Sequence, residues 1–242
     1  AAARLLLAPD APPLADAAAL TSVFLDPPAA DGTDGTANGA APSVVPEEKQ
    51  FLVPTSAFPR VVALLALPAR REATMRGLVV SAGGKTESTM RAARAALQKH
   101  CAAAADLAAV GAALLGVLDE SVATPDAHKR LALASLLTTE QLLEDRALTP
   151  LLEAKENGFA AELLARVQRV CRGGKEVSLL VAGMGVQVLL LPFGGRGEAK
   201  GEAWRAVLLL VAHRYPKVRK ATADALYVHL LTYGEEALPP LP

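Results

Sequence analysis

The sequence predicts an all-α fold, built as an array of antiparallel helical hairpins. Three observations lead to this prediction. From Phe51 onward, apolar residues recur at the i, i+3, i+4 and i+7 spacing of one helical face. Prolines and paired glycines divide this part of the chain into segments of helical length. No stretch alternates between apolar and polar residues over the length of a strand.

The composition limits the core and the partners that can be expected. Of the 242 residues, 52% are apolar but only 4% are aromatic. The core must therefore consist of Leu, Val and Ala, which suits close packing between helices. Lys and Arg total 25, as do Asp and Glu, so the formal net charge is zero. This balance provides no global field that would attract nucleic acid or an anionic membrane.

The chain divides into two parts by composition. Residues 1–50 are predicted to be a low-complexity, largely disordered segment with at most one short helix, Leu14–Leu25. Asp26–Pro46 is rich in Pro, Gly, Asp and Ala and has no apolar face, so it is predicted to be a linker. Because the chain begins with Ala1 rather than Met, we expect a trimmed or partial chain. Residues 51–242 are predicted to form a C-terminal helical-repeat domain.

The first helices of this domain are predicted from their stop and start signals. A short helix, Arg60–Leu67, should end at Pro68, and Glu72–Ala82 should end at Gly83-Gly84. Thr86 is predicted to cap the third helix. The inward residues of the second and third helices are expected to be Met75, Leu78, Val79, Met90, Ala93, Leu97 and Cys101. Those expected in solvent on the third helix are Arg91, Arg94 and Gln98.

The middle of the domain is predicted to contain four more helices. An alanine-rich helix, Ala103–Leu118, precedes one that begins at Thr124-Pro125-Asp126. Thr138 and Gln141 have the spacing of a capping box and should begin a short continuation. A further helix should bury Phe159, Leu163, Val167 and Val170, with Glu162 and Arg166 as an outward pair.

The most apolar run, Val177–Phe193, is predicted to be a buried helix of the array. It contains Gln187 and falls short of the roughly 20 residues that a membrane span requires. We therefore predict no membrane span. A flexible connector, Pro192–Gly201, follows it.

The stretch Trp204–Tyr233 is predicted to be two helices joined at Pro216, which ends one helix and begins the next. The first should bury Trp204, Val207, Leu208 and Val211 and end with His213-Arg214-Tyr215 as a basic last turn. The second should bury one face formed by Val218, Ala221, Thr222, Ala225, Leu226 and His229. Tyr227 and Leu231 lie opposite, so both faces are expected to be covered, as in stacked hairpins. The run P-x-V-R-x-A-T-x-x-A-L has the form of a HEAT-type second helix, so the predicted fold is a HEAT/armadillo-like α-solenoid.

No enzyme chemistry is predicted, although one alternative stays open. Gly83-Gly84-Lys85-Thr86 resembles the end of a phosphate-binding loop, but the glycine required five residues before Gly84 is Val79. A nucleotide-binding enzyme that uses Lys85 and Thr86 is the weakest alternative. The four histidines have no metal-ligand spacing with Cys, Asp or Glu, and the two cysteines are expected to be buried free thiols. We predict no catalytic residue, no cofactor and no metal.

The predicted binding site is a basic ridge formed by Arg214, Lys217, Arg219 and Lys220. Together with Arg205, these residues give the stretch 205–220 five basic side chains and no acid. The ridge is predicted to contact an acidic protein surface. The alternative is structural: an Arg at the start of the second helix braces a neighbouring repeat, and Lys220 pairs with Asp224.

Two blocks of sequence resemble a known family. R-G-L-V-V-S-A-G-G-K-T-E-S-T (Arg76–Thr89) and H-R-Y-P-K-V-R-K-A-T-A-D-A-L-Y-V-H-L-L-T-Y (His213–Tyr233) are similar to the C-terminal region of the tubulin-folding cofactor D family. The resemblance implies a non-enzymatic, HEAT/armadillo-type scaffold in the cytoplasm, associated with the cytoskeleton. It implies action on β-tubulin in assembling and dismantling αβ-tubulin dimers. It also implies that, together with cofactors E and C and an Arf-like small GTPase, the scaffold stimulates GTP hydrolysis by tubulin. A generic HEAT adaptor with another protein cargo is the alternative.

Overall fold

The structure is a computed structural model that describes residues 53–123, 129–154, 158–172, 174–193, 198–234 and 238. The segment 1–50, with its predicted short helix and linker, lies outside the described residues, as does the predicted helix start at residues 124–126. Within the described ranges all regular structure is helical. The helices are α1 Pro54–Ala63, α2 Pro68–Ala82, α3 Glu87–Ala103, α4 Leu107–Ala123, α5 Lys129–Glu144, α6 Thr149–Glu153, α7 Phe159–Cys171, α8 Val177–Leu190, α9 Glu198–Val211 and α10 Pro216–Tyr233, with short 3₁₀ turns at Leu64–Ala66 and Leu191–Phe193.

The helices stack in two layers. In the first layer α2, α5, α8 and α10 follow one another, and each packs against the next. In the second layer α4 packs against α7, while α4 also contacts α2 and α5, and α7 contacts α8. The helix α9 packs against α8 and α10, and α1 and α3 pack together at the start of the array. The predicted all-α solenoid is confirmed.

The core consists largely of leucine. Met75, Leu78 and Val79 of α2 are fully buried, as are Leu97 of α3 and Leu163 of α7, so these inward faces are confirmed. Other large side chains that are fully buried are Leu64, Leu65, Leu114, Leu118, Leu136, Leu148, Leu190 and Leu191. A continuous apolar contact network therefore joins helices from both layers.

Two glycines bring α8 close to its neighbours. A Cβ atom on Gly183 would collide with Sγ of Cys171 in α7, and one on Gly185 would collide with the Glu140 carboxylate in α5. Burial and the nearby Glu144 carboxylate raise the pKa of Glu140 from 4.5 to about 7, although the Arg94 guanidinium acts in the opposite direction. The apolar helix is thus confirmed, and its glycines are positions of close helix contact.

Helix starts follow the prolines closely. Pro68, Pro150 and Pro216 each lie in the first turn of a helix, where the missing N–H costs no hydrogen bond. Thr86 precedes α3 as predicted, but its hydroxyl makes no capping hydrogen bond, so that part of the prediction is wrong. The helix α2 ends at Ala82, and Gly83 has φ −91°, so this end does not use a left-handed glycine.

Two polar side chains have surroundings that differ from those predicted from helical spacing. Thr138 is buried inside α5, with its hydroxyl 3.5 Å from the Val79 carbonyl oxygen, so no new helix begins there. Arg94 was expected in solvent but is half-buried. Its Nε donates to the Ala82 carbonyl at 3.0 Å and its Nη1 donates to Oε1 of Gln141 at 3.3 Å. Contacts from α2 and α5 therefore override the local pattern in both cases.

The predicted outward pair on α7 also has a tertiary role. Arg166 does pair with Glu162 at 3.0 Å, as expected. Its Nε also donates to Asp119 of α4 at 2.9 Å, and Arg169 contacts the same carboxylate at 3.2 Å. This side of α7 therefore faces α4 across an ionic cluster rather than pointing only into solvent.

The hairpin of α9 and α10 differs from the prediction at three points. The helix α9 begins at Glu198, inside the predicted connector, and ends at Val211, so His213-Arg214-Tyr215 is a connection rather than a last turn. Leu208 and Val211 are exposed, although Trp204 and Val207 are buried as predicted. The outer face of α10 is exposed because α10 packs against α8 and α9 with its other face.

Candidate partner-binding surface

The connection between α9 and α10 is held in a fixed shape by Arg219. Its Nη1 donates to the carbonyl oxygens of His213 at 3.0 Å and Arg214 at 3.2 Å. The backbone N–H of Tyr215 donates to Nδ1 of His213 at 3.3 Å. Arg219 therefore spans from the first turn of α10 to the preceding connection, and it braces this hairpin rather than a neighbouring repeat.

The other residues of the basic ridge lie around the same connection. Arg214 lies over the Tyr215 ring, with its guanidinium carbon 4.7 Å from the ring centre and Nη2 donating to the Tyr215 hydroxyl at 2.9 Å. Lys217 and Lys220 are exposed in the first turns of α10. In the described structure of this region, Lys220 forms no ion pair with Asp224. The structure thus brings all four ridge residues together, whereas Arg205 lies in the middle of α9.

The electrostatics at the start of α10 favour an acidic partner. The first turn of α10 contains no acidic side chain. The N-terminal end of a helix carries a positive partial charge, to which Lys217 and Lys220 add two formal charges. Since these ammonium groups face solvent, their field extends outward from the end of the hairpin rather than into the core.

Apolar side chains extend the basic ridge along the outer face of α10. Lys220, Tyr227 and Leu231 follow one another at i, i+7 and i+11, which places them on one side of the helix. Tyr227 is 65% exposed and Leu231 is 69% exposed, and Val228 beside them is 60% exposed. We call Lys217, Lys220, Tyr227 and Leu231 the α10 outer surface. The exposure of its apolar half is not predicted from the sequence, because the spacing of Tyr227 and Leu231 is that of a buried face.

The inner face of α10 gives this surface a rigid support. Val218 and Thr222 are fully buried, and the Thr222 hydroxyl donates to the Val218 carbonyl at 2.7 Å. His229 is buried as predicted, with its ring centre 6.1 Å from that of Trp204 and 4.8 Å from that of Tyr233. The predicted inner face is confirmed, and it anchors α10 to α9.

The nucleotide-binding alternative requires a strand just before Gly83, but the residues there are helical. Leu78-Val79-Val80, which would lead into a phosphate-binding loop, lies in the helix α2. Lys85 is exposed in the turn between α2 and α3. Glu87 places a carboxylate at the N-terminus of α3, where it pairs with Arg91 at 2.7 Å and would repel a phosphate.

The described residues provide little else that could carry chemistry. No three His, Cys, Asp or Glu side chains among them are grouped so that they could hold a metal ion. Both cysteines are free, and burial raises the pKa of the Cys101 thiol to about 11 and that of Cys171 to about 12. At neutral pH these thiols are therefore protonated and poor nucleophiles. Of the helices described, none combines the length and the apolar character needed to span a membrane.

Comparison with known families identifies a related family. Residues 4–178 match the protein-family model described as "Tubulin folding cofactor D C terminal". The matched range is well over half of the chain. It begins within the undescribed N-terminal segment, contains the block Arg76–Thr89 and ends in the first turn of α8, before the second block. No solved structure matches the chain.

Proposed function

This chain belongs to the tubulin folding cofactor D C-terminal family, and on that premise we propose that it is a protein-binding scaffold of a tubulin-folding chaperone. In this proposal it acts on β-tubulin during assembly and disassembly of αβ-tubulin dimers. It works with cofactors E and C and an Arf-like small GTPase, and with them it stimulates GTP hydrolysis by tubulin. The proposed location is the cytoplasm, in association with the cytoskeleton.

The observation that supports a binding role is the α10 outer surface. An exposed tyrosine and an exposed leucine lie on the same side of α10 as two lysines and one exposed carboxylate, Asp224, so the surface carries a net positive charge. Exposed apolar side chains next to basic ones are typical of a surface that binds an acidic partner. We propose that this surface contacts an acidic face of tubulin or of another cofactor. The second candidate, an adaptor for a different cargo, would use the same surface.

The test measures binding of purified αβ-tubulin to the immobilised chain at several salt concentrations. The variant Lys217→Glu with Lys220→Glu reverses two exposed charges and leaves the Arg219 brace intact. Its matched control, Lys85→Glu with Lys175→Glu, makes the same change in net charge elsewhere on the surface. Circular dichroism checks that both variants keep the helix content of the parent chain.

We expect tubulin to bind the parent chain and the control alike, and the ridge variant to bind at least about tenfold more weakly and with less dependence on salt. An equal loss of tubulin binding in both variants would show that the effect comes from net charge alone. The basic ridge would then no longer be a candidate site. A parent chain that does not bind tubulin at all would overturn the tubulin assignment and favour the adaptor with another cargo.

A further inference from the structure

A groove separates α7 from α9 on the surface of the solenoid. The helices α4 and α7 pack directly against each other, but α7 and α9 do not pack closely. The space between them has a volume of about 420 Å³. Its floor is formed by Leu180 and Gln187 of α8, and Cys171 of α7 lies at its edge. The groove is therefore open to solvent along its length but closed below by a buried helix.

One complete face of α9 lines this groove. Five residues of this face recur at i, i+3, i+4, i+7 and i+8, and they are Glu202, Arg205, Ala206, Leu209 and Leu210; His213, in the connection after α9, completes the lining. This is the spacing with which one helix packs along another. From Glu202 to Leu210 this face extends about 12 Å, at 1.5 Å per residue along a helix. Leu209 at its centre is nevertheless 65% exposed. Among the helices that the structure describes, none packs closely on this face of α9.

The charges around the groove indicate what would fill it. Arg172 lies on the α7 side and Arg205 on the α9 side, and both are exposed. Neither forms an ion pair with any residue that the structure describes. Among the described residues that line the groove, the one acidic side chain is Glu202, toward the N-terminal end of α9. The groove therefore combines an apolar centre with two guanidinium groups that are available to carboxylates.

We propose that this groove binds a short, acidic amphipathic helix of a partner protein. The helix lies along α9, inserts an apolar side chain beside Leu209 and places carboxylates against Arg172 and Arg205. Helix-in-groove binding supplies the apolar contact, and the paired charges set the register and the orientation. Arginine is suited to this role because its planar guanidinium binds a carboxylate through two parallel hydrogen bonds. This site is separate from the α10 outer surface and does not depend on the proposed tubulin partner.

The probe is a fluorescein-labelled synthetic helix of 14 residues, with Leu at the i, i+3, i+4 and i+7 positions and Glu on its flanks. One matched peptide replaces each Glu with Lys, and a second replaces each Leu with Ser. Fluorescence anisotropy with the full chain gives the affinity of each. The test variants are Arg172→Glu with Arg205→Glu, and Leu209→Ser at the exposed centre of the groove. The control is Lys217→Glu with Lys220→Glu, which changes the net charge by the same amount outside the groove.

Of the three peptides, we expect only the Glu/Leu peptide to bind the parent chain, with a Kd in the micromolar range. Its affinity should be about tenfold lower for each groove variant and unchanged for the control. Because all the substituted side chains are exposed, these variants should keep the parent melting temperature. Equal binding of the Glu/Leu and Lys/Leu peptides would overturn the proposal, as would a loss of binding in the control as large as in the groove variants. The proposal would also be overturned if the parent chain is a dimer that binds no peptide and Leu209→Ser converts it to a monomer. The groove would then be the contact with a second copy of the chain.

Discussion

The sharpest structural test concerns Gly83, at the contact between the end of α2 and α5. A Cβ atom added at Gly83 would lie 2.5 Å from both Cα and Cβ of Ala134, and 3.1 Å from its carbonyl oxygen. The backbone angle φ at Gly83 is −91°, which any L-residue adopts without strain. An alanine at this position is therefore opposed only by the collision with α5, and the obstacle is backbone rather than the mobile end of a side chain.

The expected cost follows from that geometry. Ordinary contacts of a Cβ atom begin near 3.4 Å, so α2 and α5 must separate by close to 1 Å at this point. Overpacking of this kind costs about 1–3 kcal/mol. Alanine lowers the entropy of the unfolded chain, which offsets about 0.4–1 kcal/mol. The net of these two ranges is about 0–2.6 kcal/mol, and because the obstacle is backbone we expect Gly83→Ala to lower the free energy of unfolding by a value in its upper part, about 1–2 kcal/mol.

Gly116 provides the matched control, because it lies on the exposed side of α4 and nothing is within 4 Å of its added Cβ. Gly116→Ala should raise the free energy of unfolding by about 0.5–1 kcal/mol through helix propensity. Urea titrations followed by circular dichroism at 222 nm give both values if the slopes with denaturant are equal. A Gly83→Ala variant as stable as the parent would show that α2 and α5 are not in such close contact, and the stacking of the first layer would need revision.

Three further changes test separate parts of the structure. Leu226→Ala on the inner face of α10 should cost about 2–4 kcal/mol, whereas Leu231→Ala on its exposed face should change stability by less than about 0.5 kcal/mol; equal effects in urea titrations would contradict the orientation of α10. Thr86→Ala should cost well under the roughly 1 kcal/mol of a true cap, because no capping hydrogen bond forms; a full loss would contradict that geometry. Glu140 has a raised pKa, so the folded state binds its proton more tightly, and stability should fall as pH rises from 4.5 to about 7. The Glu140→Gln variant should not show this fall, which we expect to be about 1 kcal/mol once solvent screening is taken into account. A parent chain whose stability is constant between these pH values would contradict the prediction.

Local signals in the sequence were sufficient for the fold class and for the starts of α3, α8 and α10. Pro216 marks a helix start because proline fixes φ and needs no hydrogen-bond partner in the first turn. Pro68 was predicted only to end the preceding helix, but it also begins α2, four residues before the predicted start at Glu72. The inward positions of α2 follow from helical spacing, since only one face of that helix carries large apolar side chains. These properties belong to a few consecutive residues, so they can be recognised without knowing what lies beside the helix.

Such local signals could not predict contacts between residues that are distant in the sequence. Thr138 has the spacing of a capping box, yet it is buried within α5 against the Val79 carbonyl. Arg94 has the spacing of a solvent face, yet it donates hydrogen bonds to Ala82 and to Gln141, 47 residues away. In both cases the partner group belongs to another helix. Only the packing of α2, α3 and α5 decides whether such a polar side chain meets water or protein.

The exposure of the candidate site also depends on packing. Tyr227 and Leu231 on α10 have helical spacing, and spacing alone predicts that both are buried. Whether such a face is covered depends on its neighbours, and in the described structure Tyr227, Leu231 and Leu209 remain largely exposed. Each face also carries basic side chains, Lys220 on α10 and Arg205 on α9, which an adjoining helix could cover only by supplying carboxylates. We therefore propose that each exposed face binds a partner that presents apolar and acidic side chains together, and reversing the two sets of charges separately tests each proposal by itself.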